Sequence, residues 1–265
     1  MRKCIMSCVA LCAAAALAAG AEKEKPAFDI YMAGDSIMTD YSEKDFPQRG
    51  WGQEIKTLVK DPARLHNMAR SGWSSRRFRE SGRWEKHIAS KLKPGDWVIA
   101  SFGHNDSNVK RNKLPKNDYS TPAEYKEFLA GFVADVRAKG ANIAFATSVP
   151  PTLGFSETNG VMSVDGNVMR LGPYVAAMRE QAAALGVPLL DLNKYACENL
   201  PKLGMEKAKA LYMQLKPGEF PNYPKGKDDP AHIRDAGALW YAKAAVEMAR
   251  AQGLSLAEAF KDPGK

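Results

Sequence analysis

Ser36 follows Gly34-Asp35 at the end of a short apolar run, Phe28 to Ala33. A serine placed where a strand gives way to a helix sits exposed at the top of a sheet, with its N–H near a positive helix terminus. A serine hydroxyl is a weak nucleophile and needs a base. The chain holds four histidines, His66, His87, His104 and His232. His232 is the best placed, because Asp229 stands three residues before it in a Pro-containing loop leading into the last helix. A carboxylate at that spacing accepts the imidazole N–H, fixes its tautomer and stabilises the imidazolium formed when serine loses its proton. Asp228 is the weaker substitute for Asp229. Taken alone, the pair also fits a helix-capping aspartate and a surface histidine. Acyl transfer further needs donors for the developing oxyanion, each worth about 2.7–4 kcal/mol of barrier. The Ser36 N–H, the Gly72 N–H and the Asn105 amide are the candidates. Taken alone, Asn105 reads as a turn residue and Gly72 as a backbone necessity.

These residues need a frame that brings them together. Weak and strong strand signals recur at Phe28 to Ala33, Arg64 to Ala69, Trp97 to Phe102, Asn142 to Thr147 and Pro188 to Leu192. Helical patterns separate them. One runs from Gln53 to Lys60. Another is opened by Thr121, with Pro122 and Glu124 forming a capping signature, and Gly140 ends it. A third spans Tyr174 to Leu185, closed by Gly186, and a last one spans Ala236 to Gln252, capped by Asp235. Pro150 to about Gly172 reads as a loop. Such alternation predicts an α/β fold, a five-stranded parallel sheet with helices on both faces. In an open sheet of this kind ligands bind at the carboxyl ends of the strands. Gly34-Asp35-Ser36, Asn67 to Gly72 and Gly103 to Asp106 all fall at such ends.

Composition sets the outer bounds. The chain has 265 residues, 45% hydrophobic and 26% charged, which excludes disordered, collagen-like and multi-span membrane classes. Arg2 and Lys3, an apolar stretch from Ile5 to Ala19 and Ala19-Gly20-Ala21 read as a secretory signal peptide over 1–21, leaving a single domain over 22–265. The apolar stretch is short for a membrane span, so no stable membrane insertion is expected after cleavage, and the protein is expected to be exported. Cys4, Cys8 and Cys12 lie in that segment, and Cys197 alone lies beyond it, which excludes a disulfide framework or a cysteine-rich metal site. The net charge of +8 attracts polyanions. For an exported protein an acidic polysaccharide fits better than nucleic acid, for which no signature exists.

Taken together, Gly34-Asp35-Ser36, the Gly72 block, Gly103-His104-Asn105-Asp106 and Asp229-Pro230-Ala231-His232 resemble, in order, the four blocks of the SGNH (GDSL-type) hydrolases. That resemblance implies a flavodoxin-like three-layer α/β/α fold. It implies Ser36 as nucleophile, His232 as base and Asp229 as its partner, with Ser36, Gly72 and Asn105 forming the oxyanion hole. It implies no metal and no cofactor. Gly50-Trp51-Gly52, Gly72-Trp73-Ser74-Ser75-Arg76, Phe102 to Asp106 and Gly237-Ala238 are more closely similar to the rhamnogalacturonan acetylesterases, which deacetylate acidic pectin backbones. The chain departs from them at Thr147 to Thr152, where that family often reads Thr-Pro-x-x-Arg.

The expected partner is therefore an acetylated acidic polysaccharide. Trp73, beside Gly72, is the candidate for stacking on a sugar ring. Arg76 and Arg77, within the cluster Arg70, Arg76, Arg77, Arg79 and Arg83, are candidates for sugar carboxylates. The competing reading of that cluster is a solvated helix face with local ion pairs. Alternatives for the whole chain are a lipase or lysophospholipase of the same superfamily, an acetylxylan esterase, and a non-catalytic carbohydrate-binding protein. The α/β-hydrolase elbow Gly-x-Ser-x-Gly is absent.

Overall fold

A computed structural model describes residues 28–107 and 119–262. The signal peptide expected over 1–21 lies outside the described residues.

The central sheet is built from β1 (Ile30–Gly34), β2 (Leu65–Asn67), β3 (Trp97–Ser101), β4 (Asn142–Ala146) and β7 (Leu189–Leu190), all parallel, in the order β2-β1-β3-β4-β7. Ile30 pairs with Leu65 on one side and with Trp97 on the other. The chain thus leaves β1 for β2 and crosses back to β3 on the opposite side. The carboxyl ends of β1 and β3 therefore flank the point where strand order reverses, where open sheets form a crevice.

β1 and β3 are buried along their whole length, as expected for strands covered on both faces. Side chains alternate between two cores. Ile30, Met32, Ile99, Ala144 and Ala146 face α1 (Trp51–Glu54), α5 (Leu192–Leu203) and α7 (Asp235–Ala251) through Trp51, Leu192, Leu200 and Tyr241. Tyr31, Ala33, Val98, Ala100 and Phe145 face α2 (Ser75–Glu80), α3 (Pro122–Ala138) and α4 (Gly172–Leu185) through Phe78, Tyr125, Phe132 and Met178. This is the three-layer α/β/α architecture with a five-stranded parallel sheet that the alternation predicts. The Thr121 capping box forms, with Thr121 Oγ1 accepting from the Glu124 N–H at 3.2 Å and Glu124 returning to the Thr121 N–H at 2.7 Å.

Several local expectations are corrected. The Gln53 to Lys60 helix is only the single turn α1 followed by 3-10 turns over Ile55–Leu58. The loop from Pro150 to Gly172 contains a hairpin, β5 (Phe155–Thr158) with β6 (Val161–Val164). α2 corresponds to the helix face expected as the competing reading of the arginine cluster, whereas α5 and α6 (Met205–Lys209) have no counterpart in the sequence pattern. Asp235 is the first residue of α7, and Arg234 occupies the cap position. A second hairpin, β8 (Tyr212–Leu215) with β9 (Lys227–Ile233), precedes α7. Asp229 and His232 lie on β9, where a loop was expected.

Candidate active site

The site is assembled from three loops at the strand ends and from β9. After β1, the backbone closes one tight turn, with the Thr39 N–H donating to the Asp35 carbonyl at 3.1 Å. The expected helix after Ser36 is only this turn. The Asp35 carboxylate accepts the Ile37 N–H at 3.0 Å. The Ser36 carbonyl accepts the Tyr41 hydroxyl at 2.9 Å. The Ser36 N–H takes no part in these turn bonds. Thr39 Oγ1 donates to the Ala69 carbonyl at 2.8 Å, and Asn67 Nδ2 donates to the Met38 carbonyl at 2.8 Å. The serine turn and the loop after β2 are thereby fastened together.

That second loop turns at Arg70–Trp73, where the Trp73 N–H meets the Arg70 carbonyl at 3.3 Å. Gly72 sits at its third position with φ 77°, a left-handed conformation that glycine adopts without penalty. The Gly72 N–H is not spent in the turn. After β3, Asn105 donates one N–H of its amide to the Trp73 carbonyl at 3.2 Å. An amide carries two N–H groups, so one orients Asn105 and the other remains to be offered.

Asp106, the residue after Asn105, is fully buried and holds this arrangement. Its carboxylate accepts the Ser75 N–H, the Ser75 hydroxyl at 2.5 Å and the Ser120 hydroxyl at 2.6 Å. Burial pushes its pKa up to about 6, partly opposed by those donors. It joins the start of α2, three residues past Gly72, to the loop carrying Asn105. This role was not anticipated. Its signal was the Asp in the Gly103-to-Asp106 block, but its partners lie 31 and 14 positions away.

His232 and Asp229 arrive together on β9. The ladder is irregular between Tyr212 and Met213, which pair with Ile233 and Asp229. Pro230, Ala231 and His232 therefore bulge from the strand. Bulges re-aim side chains beside active sites, and proline is tolerated in them. His232 Nδ1 donates to Asp229 Oδ2 at 2.8 Å. The other oxygen, Oδ1, accepts the Ala231 and His232 N–H groups at 3.0 and 3.1 Å. Burial alone would raise the Asp229 carboxyl. The His232 hydrogen bond and charge, with the two backbone donors, overcome burial and hold it well below the usual carboxylate range. Lys227 Nζ stands 3.5 Å from Asp229 Oδ2. Asp228, the weaker substitute, instead accepts from Gln214 at 2.8 Å.

The His232 charge acts on Asp35, next to Ser36, and on His104, next to Asn105. Asp35 is pushed up to about 6 by burial, opposed by the Ile37 N–H, His232 and the His104 N–H. Burial and the His232 charge lower His104 to about 4, so it is neutral and donates from Nε2 to the Val149 carbonyl at 3.0 Å. With the Nδ1 proton engaged by Asp229, His232 Nε2 is the nitrogen free to accept one.

The candidate sugar contacts separate. Arg76 is ion-paired to Glu124 and lies 3.8 Å from Glu80, with its guanidinium 5.3 Å from the Phe128 ring. It braces α2 against α3. Trp73 is half-buried, edge-on to Phe78 at 6.3 Å, and Arg77 lies 4.9 Å over its ring. Trp51 is wholly buried, and Trp240 packs on Tyr195 at 4.7 Å. Cys197 is half-buried, and burial raises its thiol, as for a packing residue. Among the described residues no cluster of His, Cys, Asp and Glu could hold a metal ion.

An α/β/α sheet carrying these groups on its carboxyl edge is the framework of a carboxylic ester hydrolase. The chain belongs to the GDSL-like lipase/acylhydrolase family, whose sequence model matches residues 32–238. It is 34% identical over 232 residues to the rhamnogalacturonan acetylesterase RhgT of Bacillus subtilis (strain 168), covering 88% of this chain and 94% of that one. The solved structure of the Bacillus subtilis protein YxiM, an uncharacterized esterase, superposes with a TM-score of 0.70 at 28% identity, over 86% of this chain and 57% of that one. Axe2, an acetylxylan esterase from Geobacillus stearothermophilus, shares the fold with a TM-score of 0.60 at 20% identity, over 84% of this chain and 94% of that one.

Proposed function

We propose that this chain is an exported serine carbohydrate esterase that removes acetyl groups from an acidic pectic polysaccharide, rhamnogalacturonan. The observation that carries the reading is the Asp229–His232 pair, bonded at 2.8 Å on a bulged strand whose imidazole charge reaches the neighbours of Ser36 and Asn105. The similarity to RhgT supports the acetyl group and the polysaccharide.

In this reading His232 Nε2 takes the Ser36 hydroxyl proton as Oγ attacks the acetyl carbonyl. Asp229 holds the tautomer and stabilises the imidazolium. The Ser36 N–H, the Gly72 N–H and the second Asn105 N–H receive the oxyanion. The imidazolium then gives its proton to the departing sugar hydroxyl. Water repeats the cycle on the acetyl-serine, returning acetate and free Ser36. Trp73 and Arg77 stand beside Gly72 as candidate sugar contacts. Arg76 supports them from its bracing position. Residues 1–21 serve as a cleaved export signal, so protein recovered outside the cytoplasm begins at Glu22 when its N-terminus is sequenced.

The test is acetate release from acetylated rhamnogalacturonan, acetylated xylan and a long-chain ester, with wild type and Ser36→Ala. Release from the pectic substrate that Ser36→Ala abolishes is the expected result. Release from xylan alone moves the substrate, and preference for the long-chain ester makes the chain a lipase. Activity that survives Ser36→Ala overturns the nucleophile.

A further inference from the structure

Around Gly72, Arg77 lies 4.9 Å over the Trp73 ring, and the other four arginines fall into two kinds. Arg76 is committed to Glu124 and Glu80. Arg79 lies 2.8 Å from Asp135, over the Phe132 ring. Both are bolts between α2 and α3. Arg70 and Arg83 differ. Among the described residues, neither forms an ion pair with a carboxylate. Arg83 is anchored through Nε, which donates to the Met68 carbonyl at 2.9 Å, and its guanidinium lies 5.8 Å from the Trp73 ring. Its Nη groups bond to no described residue. Arg70 and Trp73 stand at the two ends of one tight turn, the Trp73 N–H donating to the Arg70 carbonyl at 3.3 Å, so Arg70 and Arg83 both flank Trp73. Arg70 is exposed and opens the turn that presents Gly72. The same sign continues outward, for Arg83, Lys86 and Lys91 all act on His87.

Elsewhere this basic chain interleaves its charges, as in Lys126 with Glu180, Arg179 with Asp191, and Arg250 with Glu247. Unpaired like charges beside a half-buried aromatic ring oppose folding and favour an anion that settles between them. The ring is that of Trp73, whose carbonyl orients Asn105. A ligand held here is therefore in fixed register with the candidate oxyanion donors.

Resting on the acidic-polysaccharide reading above, we infer that Arg70 and Arg83, with the rim of Trp73, form a subsite for the carboxylate of a uronate unit neighbouring the acetylated sugar. The planar guanidiniums suit a carboxylate, and the indole offers the apolar face of the sugar a partner.

Titration calorimetry of the full chain with oligogalacturonate, and with a neutral xylo-oligosaccharide of equal length, tests the subsite without turnover. Wild type is expected to bind the acidic chain more tightly than the neutral one. Arg70→Gln is expected to weaken acidic binding about tenfold, the scale of one charged hydrogen bond, and Arg70→Glu to weaken it further. Both variants keep the fold-bearing contact, because it is the Arg70 backbone N–H that donates to the Gly34 carbonyl. On acetylated rhamnogalacturonan, Arg70→Gln should raise KM more than it changes kcat. Equal affinity of wild type and Arg70→Gln for oligogalacturonate overturns the subsite, as does equal wild-type affinity for acidic and neutral chains. Arg70-dependent binding without acetate release upholds the subsite and removes the proposed reaction. Acetate release with Arg70-independent binding does the reverse.

Discussion

Asp229 divides its two oxygens between two tasks. Oδ2 engages the imidazole, and Oδ1 holds the backbone of residues 231 and 232. Asp229→Asn preserves the shape but favours the wrong imidazole tautomer. We expect kcat to fall by about 10⁴-fold with little change in thermal stability, read by steady-state kinetics beside a melting curve. Asp106→Ala should behave differently. It strips three buried donors of their acceptor, which costs on the order of 3 kcal/mol. Its melting temperature should drop along with kcat, because the Gly72 and Asn105 loops lose their shared anchor. The two aspartates were unequally legible for a physical reason. Asp229 reaches a partner three residues away, so its spacing is visible in the chain. Asp106 binds Ser75 and Ser120, which only the folded chain brings near it.

At the scale of elements, the long helices and central strands were readable because apolar period and caps agree with burial. The hairpins were less so. Asn159 and Gly160 both adopt left-handed backbone, φ 51° and 74°, the signature of a tight hairpin turn. That signal lies in a stretch of loop-like composition, which masks it. β9 was hidden by Pro230, a residue that argues against a strand unless a bulge accommodates it. α5 carries Pro201 within it, which blurred its pattern. The join between the β8–β9 hairpin and α7 makes a sharp prediction at Gly237. A glycine-to-alanine change in a helix ordinarily stabilises by up to about 1 kcal/mol. Here the added Cβ would stand 2.0 Å from the Leu211 carbonyl oxygen, a backbone atom. The clash outweighs the propensity, and Gly237→Ala should destabilise by about 1–3 kcal/mol in urea denaturation. Activity should fall too, because Leu211 also receives the Arg234 N–H two residues past His232.

For the molecule as a whole, buried carboxyls shape stability against pH. Asp35 and Asp106 are both pushed by burial to about 6 when folded, against an ordinary carboxyl value of 3.8. Between pH 4 and 6 the folded chain thus holds more protons at these sites than the unfolded chain. Their contribution is full below the unfolded value and is lost as pH rises through about 6. Asp229, held below the usual range, works oppositely and loses its contribution as pH falls. Removing one of the raised groups should show in melting curves. Relative to wild type, Asp35→Asn should gain stability steadily from pH 4 to pH 6 and no further above that. A difference that stays flat across this range would contradict the assignment.

The bulged strand has one more consequence, which concerns assembly. The proposed base and its carboxylate are three residues apart, and the Asp229 bonds to Ala231 and His232 are local. The pair is thus set within its own short stretch of chain. Ser36 lies nearly two hundred residues earlier. The three groups of the proposed triad thus present the folding chain with a single distance to get right. An error in docking the last hairpin would carry both partners away together, leaving a correctly formed dyad with nothing to activate.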